Sequence, residues 1–161
     1  MNIYLLCGLP GSGKSTWSKK TALSTNAIII NKDLLRLMIK GDYSVYFSKF
    51  FPEYEYFVMD CAENILLSAC CHQKDVIIDE TSITAVYRSN WLRIIKENMI
   101  ECQLICMWFR ETQKNLEYRM QDARGYSAEY WQGIIDKMKA KFEEPMLSEG
   151  FDEIILVDSI K

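Results

Sequence analysis

Apolar residues run along this chain in two rhythms. Short unbroken stretches have the length and β-branched content of strands buried on both faces: Ile3–Cys7, Ala27–Asn31, Val76–Asp79, Gln103–Trp108 and Ile154–Val157. Between them apolar positions recur every three or four residues. That spacing predicts helices from Lys14 to about Ser24, over Asp33–Lys40 and Glu53–His72, from about Ala85 to Asn98, from about Thr112 to Gln121, and over Ser127–Glu144. Leu34, Leu37 and Met38 share one face of the second helix, which Gly41 ends. Phe57, Cys61, Ile65 and Ala69 line up along the third, and Trp91, Leu92 and Ile95 along the fourth.

Strands of this kind separated by helices predict a three-layer α/β fold, a five-stranded parallel sheet flanked by helices. All strand C-termini then share one edge, where ligands bind near the point at which strand order reverses. No repeat, linker or low-complexity stretch interrupts residues 1–161, so one domain is expected. The longest apolar run, Leu104 to Phe109, is far short of the roughly 18 residues of a membrane span. The first residues lack the positive region of a secretory signal. A cytoplasmic chain with no membrane partner is the expectation.

Composition narrows the class. With 161 residues, 49% hydrophobic and 25% charged, the chain is neither disordered, collagenous nor coiled-coil. The six cysteines sit mostly in apolar runs, and Cys70-Cys71-His72 lacks the second ligand pair of a zinc site, so free thiols are expected. The net charge of −3 argues against indiscriminate attraction to nucleic acid. Its distribution is uneven: residues 1–49 hold 7 Lys+Arg and 2 Asp+Glu, and the remainder 12 and 20. The positive end lies around the first loop and the helix after it, which suits a small anionic target.

That loop, Gly8-Leu9-Pro10-Gly11-Ser12-Gly13-Lys14-Ser15, fits G-x-x-x-x-G-K-[ST] and sits between the first strand and the first helix. Gly11 and Gly13 allow the backbone to curl its N–H groups around a phosphate, and the helix start adds its positive end. Lys14 places a charge on the β and γ oxygens, and the Ser15 hydroxyl supplies a ligand to Mg²⁺. ATP, or GTP in its place, is the expected nucleotide.

Phosphoryl transfer needs a group to orient the acceptor and cations for the developing charge. Three constellations at strand ends offer them. In Asn31-Lys32-Asp33-Leu34-Leu35-Arg36, Asp33 and Arg36 share a helical face and suit a hydroxyl proton and an anionic acceptor. The same residues also read as a helix cap with a surface ion pair. In Asp79-Glu80-Thr81-Ser82, Asp79 ends a buried strand and reaches Mg²⁺ directly or through water. Thr81 hydrogen-bonds an acceptor phosphate or caps the next helix. Arg88, one turn on, either reaches the same anion or lies on the surface. Arg119 and Arg124, in a segment of about residues 118–127 ending at a glycine, read as a lid over the triphosphate or as a basic helix end. The aromatic stretch Tyr43, Tyr46, Phe47, Phe50, Phe51, Tyr54, Tyr56 and Phe57 reads as packing or as one wall of the acceptor site.

Together these residues resemble the P-loop kinases of the polynucleotide 5′-hydroxyl kinase type, within a wider group of ATP-binding kinases. Gly8-x-Pro10-Gly11-Ser12-Gly13-Lys14-Ser15-Thr16-Trp17 is similar to that family's phosphate loop, and Asn31-Lys32-Asp33-x-x-Arg36 to its N-[RK]-D-x-x-R element. Asp79-x-Thr81-Ser82 resembles D-x-T-N, with Ser82 where Asn is usual. Phe142-Glu143-x-Pro145 and Glu149-Gly150-Phe151-Asp152 resemble the group's closing segment. The resemblance implies an ATP- and Mg²⁺-dependent kinase acting on the 5′-OH of DNA or RNA. Asp33 would be the general base, Arg36 the grip on the acceptor phosphate, and Arg119 and Arg124 the lid arginines. A kinase of a small molecule, nucleotide sugar or antibiotic is the alternative within the group, and a nucleotide-dependent switch the alternative outside kinases.

Overall fold

Unbroken runs of isoleucine, leucine and valine can leave neither face to water, and in the computed structural model they form the middle of a sheet. Residues 1–41, 51–112 and 114–158 are described, Phe51 by its backbone alone. In chain order the elements are β1 (Asn2–Cys7), α1 (Lys14–Thr25), β2 (Ile28–Ile30), α2 (Lys32–Lys40), α3 (Phe51–Cys71), β3 (Val76–Ile78), α4 (Ala85–Glu97), β4 (Gln103–Phe109), α5 (Asn115–Met120), α6 (Ala128–Lys139) and β5 (Glu153–Val157). The sheet has the order β2-β3-β1-β4-β5 and is parallel throughout. In register, Leu5 stands between Ile78 and Cys106. The chain leaves β1 for one edge of the sheet and its neighbour β4 for the other. Strand order therefore reverses at the C-terminal end of β1, where the glycine-rich loop lies.

Alternate strand residues supply two cores. Ile3, Leu5, Ile30, Ile78 and Leu104 pack against Ala62 and Leu66 of α3 and Trp91 and Ile94 of α4. On the opposite face Leu6, Ile77, Ile105 and Phe109 meet Trp17 and Ala22 of α1. Trp17 stands edge-on to Tyr4 and Phe109, with ring centres 5.6 and 6.1 Å apart. A third cluster, Leu9, Ile83 and Ile135 with Leu116 and Met138, joins α5 and α6 to the loops after β1 and β3.

Some expected faces are turned. On α2, Leu34 and Met38 are exposed, while Leu35 packs on the core and Arg36 is buried. The ion pair of Arg36 with Glu55 of α3, described below, holds that side inward. On α3, Phe57 is exposed and the buried row is Val58, Ala62, Leu66 and Ala69. The first three buried positions lie one residue on from the expected row, and Ala69 is common to both. A four-residue row drifts by about 40° at each step around a helix, so the step from Leu66 to Ala69 is three residues and keeps the row facing the sheet. Helix α6 stops at Lys139 rather than Glu144. Beyond it the Glu143 N–H donates to the Ile83 carbonyl and its carboxylate accepts the Ala85 N–H, which draws the chain out of the helix. Tyr43, Tyr46, Phe47 and Phe50 lie outside the described residues. Among the described residues the six cysteines are free, no His/Cys/Asp/Glu group is placed to hold a metal, and no helix is long and apolar enough to cross a membrane.

Candidate active site

The loop after β1 is built around two glycines. Gly11 has φ +76°, and a Cβ there would lie 1.9 Å from the Asn115 carbonyl oxygen at the start of α5, so a side chain is excluded twice over. Gly13, at φ +93°, caps α1 with no side chain over the helix's first N–H groups. Those donors, and the positive end of the helix dipole, are left for an anion. The Gly8 N–H donates to the Thr81 carbonyl at 2.9 Å and ties the loop to the segment after β3. Lys14 is buried, and its Nζ donates to the Gly8 and Leu9 carbonyls, both at 2.8 Å, and to Ser12 Oγ at 3.3 Å. Burial pulls its ammonium down to about 8; Asp79 and Cys7 oppose the drop and Arg119 adds to it. Ser15 and Thr16 stand exposed in the first turn of α1. A desolvated ammonium, uncapped helix N–H groups and a loop with no room for a Cβ together fit a polyphosphate.

Across the cavity, Asn31 does two jobs. Its Oδ1 accepts the Leu34 N–H at 3.0 Å and caps α2, and its Nδ2 donates to Asp79 Oδ2 at 3.1 Å. Asp33 therefore does not cap the helix. Its carboxylate instead accepts Arg36 Nη1 at 2.8 Å and Arg124 Nη1 at 2.5 Å. Arg36 is clamped from its other side by Glu55 of α3, to which Nε and Nη2 donate at 2.9 and 2.6 Å. A guanidinium held by a bidentate carboxylate has its plane fixed.

Asp79 follows β3 and is buried, with its N–H bonded to the Ile30 carbonyl at 2.8 Å. Glu80 beside it is pushed up by burial and pulled back by Lys32, 3.2 Å away. Thr81 is half-buried, and the cap of α4 is Thr84. In the segment 118–127, the Arg119 guanidinium lies 3.9 Å over the Trp131 ring, and Trp131 Nε1 donates to the Ala123 carbonyl at 2.8 Å. Arg124 takes φ +53°, a left-handed conformation uncommon outside glycine, just before Gly125, and from there reaches Asp33. One cavity of about 1310 Å³ is lined by Gly11, Ser12, Gly13, Lys14, Ser15 and Thr16 on the nucleotide side, and by Asp33, Arg36, Asp79, Thr81, Arg119 and Arg124 facing them.

One expected site residue is elsewhere. Arg88 is fully buried and does not line the cavity. Its Nε and Nη2 donate to Glu149 at 2.7 and 2.8 Å, and Nη1 donates to the Ser82 and Glu143 carbonyls at 3.0 and 2.9 Å. It braces the loop after β3 against the segment before β5. An acceptor anion could not reach it without uncovering the core. Glu55, the double role of Asn31 and the close approach of Asn115 escape a reading of the sequence. Glu55 is 19 positions from Arg36, on another helix, and no motif spacing links the two.

A protein-family profile described as an AAA domain matches residues 3–145. Among solved structures, a chain of the Pnkp1/Rnl/Hen1 complex is 24% identical with a TM-score of 0.60, covering 78% of this chain and 39% of that one. A fungal RNA kinase is 13% identical with a TM-score of 0.67, covering 99% and 38%. A gluconokinase from Sinorhizobium meliloti 1021 is 14% identical with a TM-score of 0.58, covering 99% and 83%. At these identities the likeness is one of fold, and the chain spans under two fifths of the first two proteins.

Proposed function

This chain belongs to the AAA domain family and is a kinase-like P-loop domain, and from that premise we propose that it transfers the γ-phosphoryl group of ATP to a hydroxyl, the 5′-OH end of DNA or RNA. The observation that carries the reading is the meeting of Asp33, Arg36 and the lid's Arg124 across one cavity from the Lys14 loop. A nucleotide switch has no use for a carboxylate held between two guanidiniums on the far wall. ATP supplies the transferable group; the Ser15 hydroxyl and Asp79 would hold Mg²⁺, which would supply neutralisation of the phosphate charge. Asp33 orients the acceptor hydroxyl and takes its proton as the new O–P bond forms. Arg36 holds the acceptor's neighbouring phosphate in a plane set by Glu55. Lys14, Arg119 and Arg124 balance the charge that builds up as the bond to ADP breaks.

A small-molecule acceptor is the second reading, favoured by the gluconokinase, of whose length this chain covers 83% against 38% for the RNA kinase. Labelled ATP offered to 5′-OH oligonucleotides, nucleosides and common metabolites decides between them. Label on oligonucleotides, with a steep fall in rate as salt rises, is the expected outcome. Label on metabolites alone overturns the proposal, and slow hydrolysis indifferent to every hydroxyl compound favours the switch.

A further inference from the structure

The cavity is larger than the roughly 300–1000 Å³ usual for a site holding one small ligand, and it does not end at the groups assigned above. The segment after β3 lines it from Asp79, beside the phosphate loop, through Ile83 and Thr84 to Val86 and Tyr87 in the first turn of α4. There the opposite wall is α6 and the residues just beyond it, with Ile134, Lys137, Met138 and Lys141. The two walls are stitched together by the Glu143 contacts to Ala85 and Ile83. This outer lobe has a definite chemistry. Val86 and Tyr87 are 69% and 59% exposed, although α4 buries its other side well. Lys137 and Lys141 are exposed and carry no ion pair among the described residues, whereas Lys139 on the opposite face pairs with Glu111 at 2.8 Å.

We propose that this lobe is a second subsite for the acceptor, taking the strand of a single-stranded nucleic acid one or two nucleotides beyond the end being phosphorylated. The inference rests on the 5′-OH kinase reading and extends it. An exposed tyrosine beside a valine and a methionine offers a base a flat apolar surface, and stacking of this kind is indifferent to sequence. Lys137, in the last turn of α6, and Lys141, two residues past its end, line the same wall of the cleft, so both face the phosphates of a strand laid along it. The chain as a whole is acidic, so two lysines without carboxylate partners on one cleft wall mark a local preference for an anion. A small neutral metabolite would leave both the aromatic face and the lysines unused.

The test compares two acceptors, a nucleoside 3′-monophosphate and a single-stranded 5′-OH hexanucleotide, with wild type, Tyr87→Ala and the double variant Lys137→Gln/Lys141→Gln. All three substituted side chains are exposed, and thermal unfolding checks that each variant folds. In Tyr87→Ala the hexanucleotide KM should rise about tenfold, the loss of one stacked base, with kinetics on the mononucleotide and the ATP KM unchanged. In the double variant the salt dependence of the hexanucleotide's binding should flatten by about 1.4 in log–log slope, the share of two phosphate contacts on a single strand. Variants that leave the hexanucleotide unaffected, slow both acceptors equally, or raise the ATP KM instead would overturn the subsite; the last outcome would assign the lobe to the nucleotide. A wild type inert on both acceptors would sink the kinase reading itself, and is told apart because it appears before any substitution is made.

Discussion

Asp33 shows how little a position in a motif says until its neighbours are known. At the start of a helix an aspartate is most often a cap, yet Asn31 takes that duty and releases the Asp33 carboxylate to face two guanidiniums. Replacing Asp33 by alanine should slow transfer by about 10² to 10⁴, the usual range for a general base, while ATP affinity, measured by calorimetry, stays within about twofold. Unchanged turnover would remove Asp33 from the chemistry. Lys14 makes a separate claim about pH. Burial holds its ammonium near 8, and a bound polyphosphate favours the charged form and raises that value. Nucleotide binding above pH 8 should therefore take up a proton, and affinity should fall as pH climbs through that value. Calorimetry in buffers of different ionisation enthalpy reads the uptake directly. Stability of the nucleotide-free protein moves the other way. Between pH 8 and 10.5 the unfolded chain holds the extra proton, so this group makes the fold more stable as pH rises there.

At the level of helices and strands, the most instructive element is α4. Its first turn projects Val86 and Tyr87 outward, and the next residue, Arg88, goes into the core with Glu149 as its partner. A buried guanidinium is tolerated because a bidentate carboxylate and two carbonyls satisfy it, and removing one member of such a set costs about 3–5 kcal/mol. For a chain of this length Arg88→Gln should then lower the melting temperature by about 10 °C. Single-turnover transfer by the protein that remains folded should be near wild type, since no atom of Arg88 lines the cavity. A variant of full stability with lost acceptor affinity would return Arg88 to the site. Helix α2 teaches the complementary lesson. Its leucines and methionine suggest an apolar face, but Glu55 of α3 holds the Arg36 side inward instead.

Across the molecule, the proposed lid is joined to the cavity wall at Asp33 by the Arg124–Asp33 contact, and to the phosphate loop by α5, whose Asn115 carbonyl and Arg119 N–H lie over Gly11. Substrates on both sides should therefore close the lid together. Trypsin cleavage after Arg124 should slow with a non-hydrolysable ATP analogue and slow further when a 5′-OH acceptor is added. No added protection from the acceptor would uncouple the lid from that wall. Much of this architecture was already legible in the order of residues. The alternation of buried strands with helices and the glycine-rich loop between β1 and α1 are local properties, written in runs of apolar side chains and in backbone angles that only glycine readily takes. Hence the parallel sheet and the phosphate cradle could be read before any coordinates. The pairing of Arg36 with Glu55, the retreat of Arg88 into the core and the outer lobe beside Tyr87 could not, because each depends on which distant carboxylate or helix lies opposite. Those meetings are fixed by packing across the sheet, and packing is decided only when the whole chain has folded.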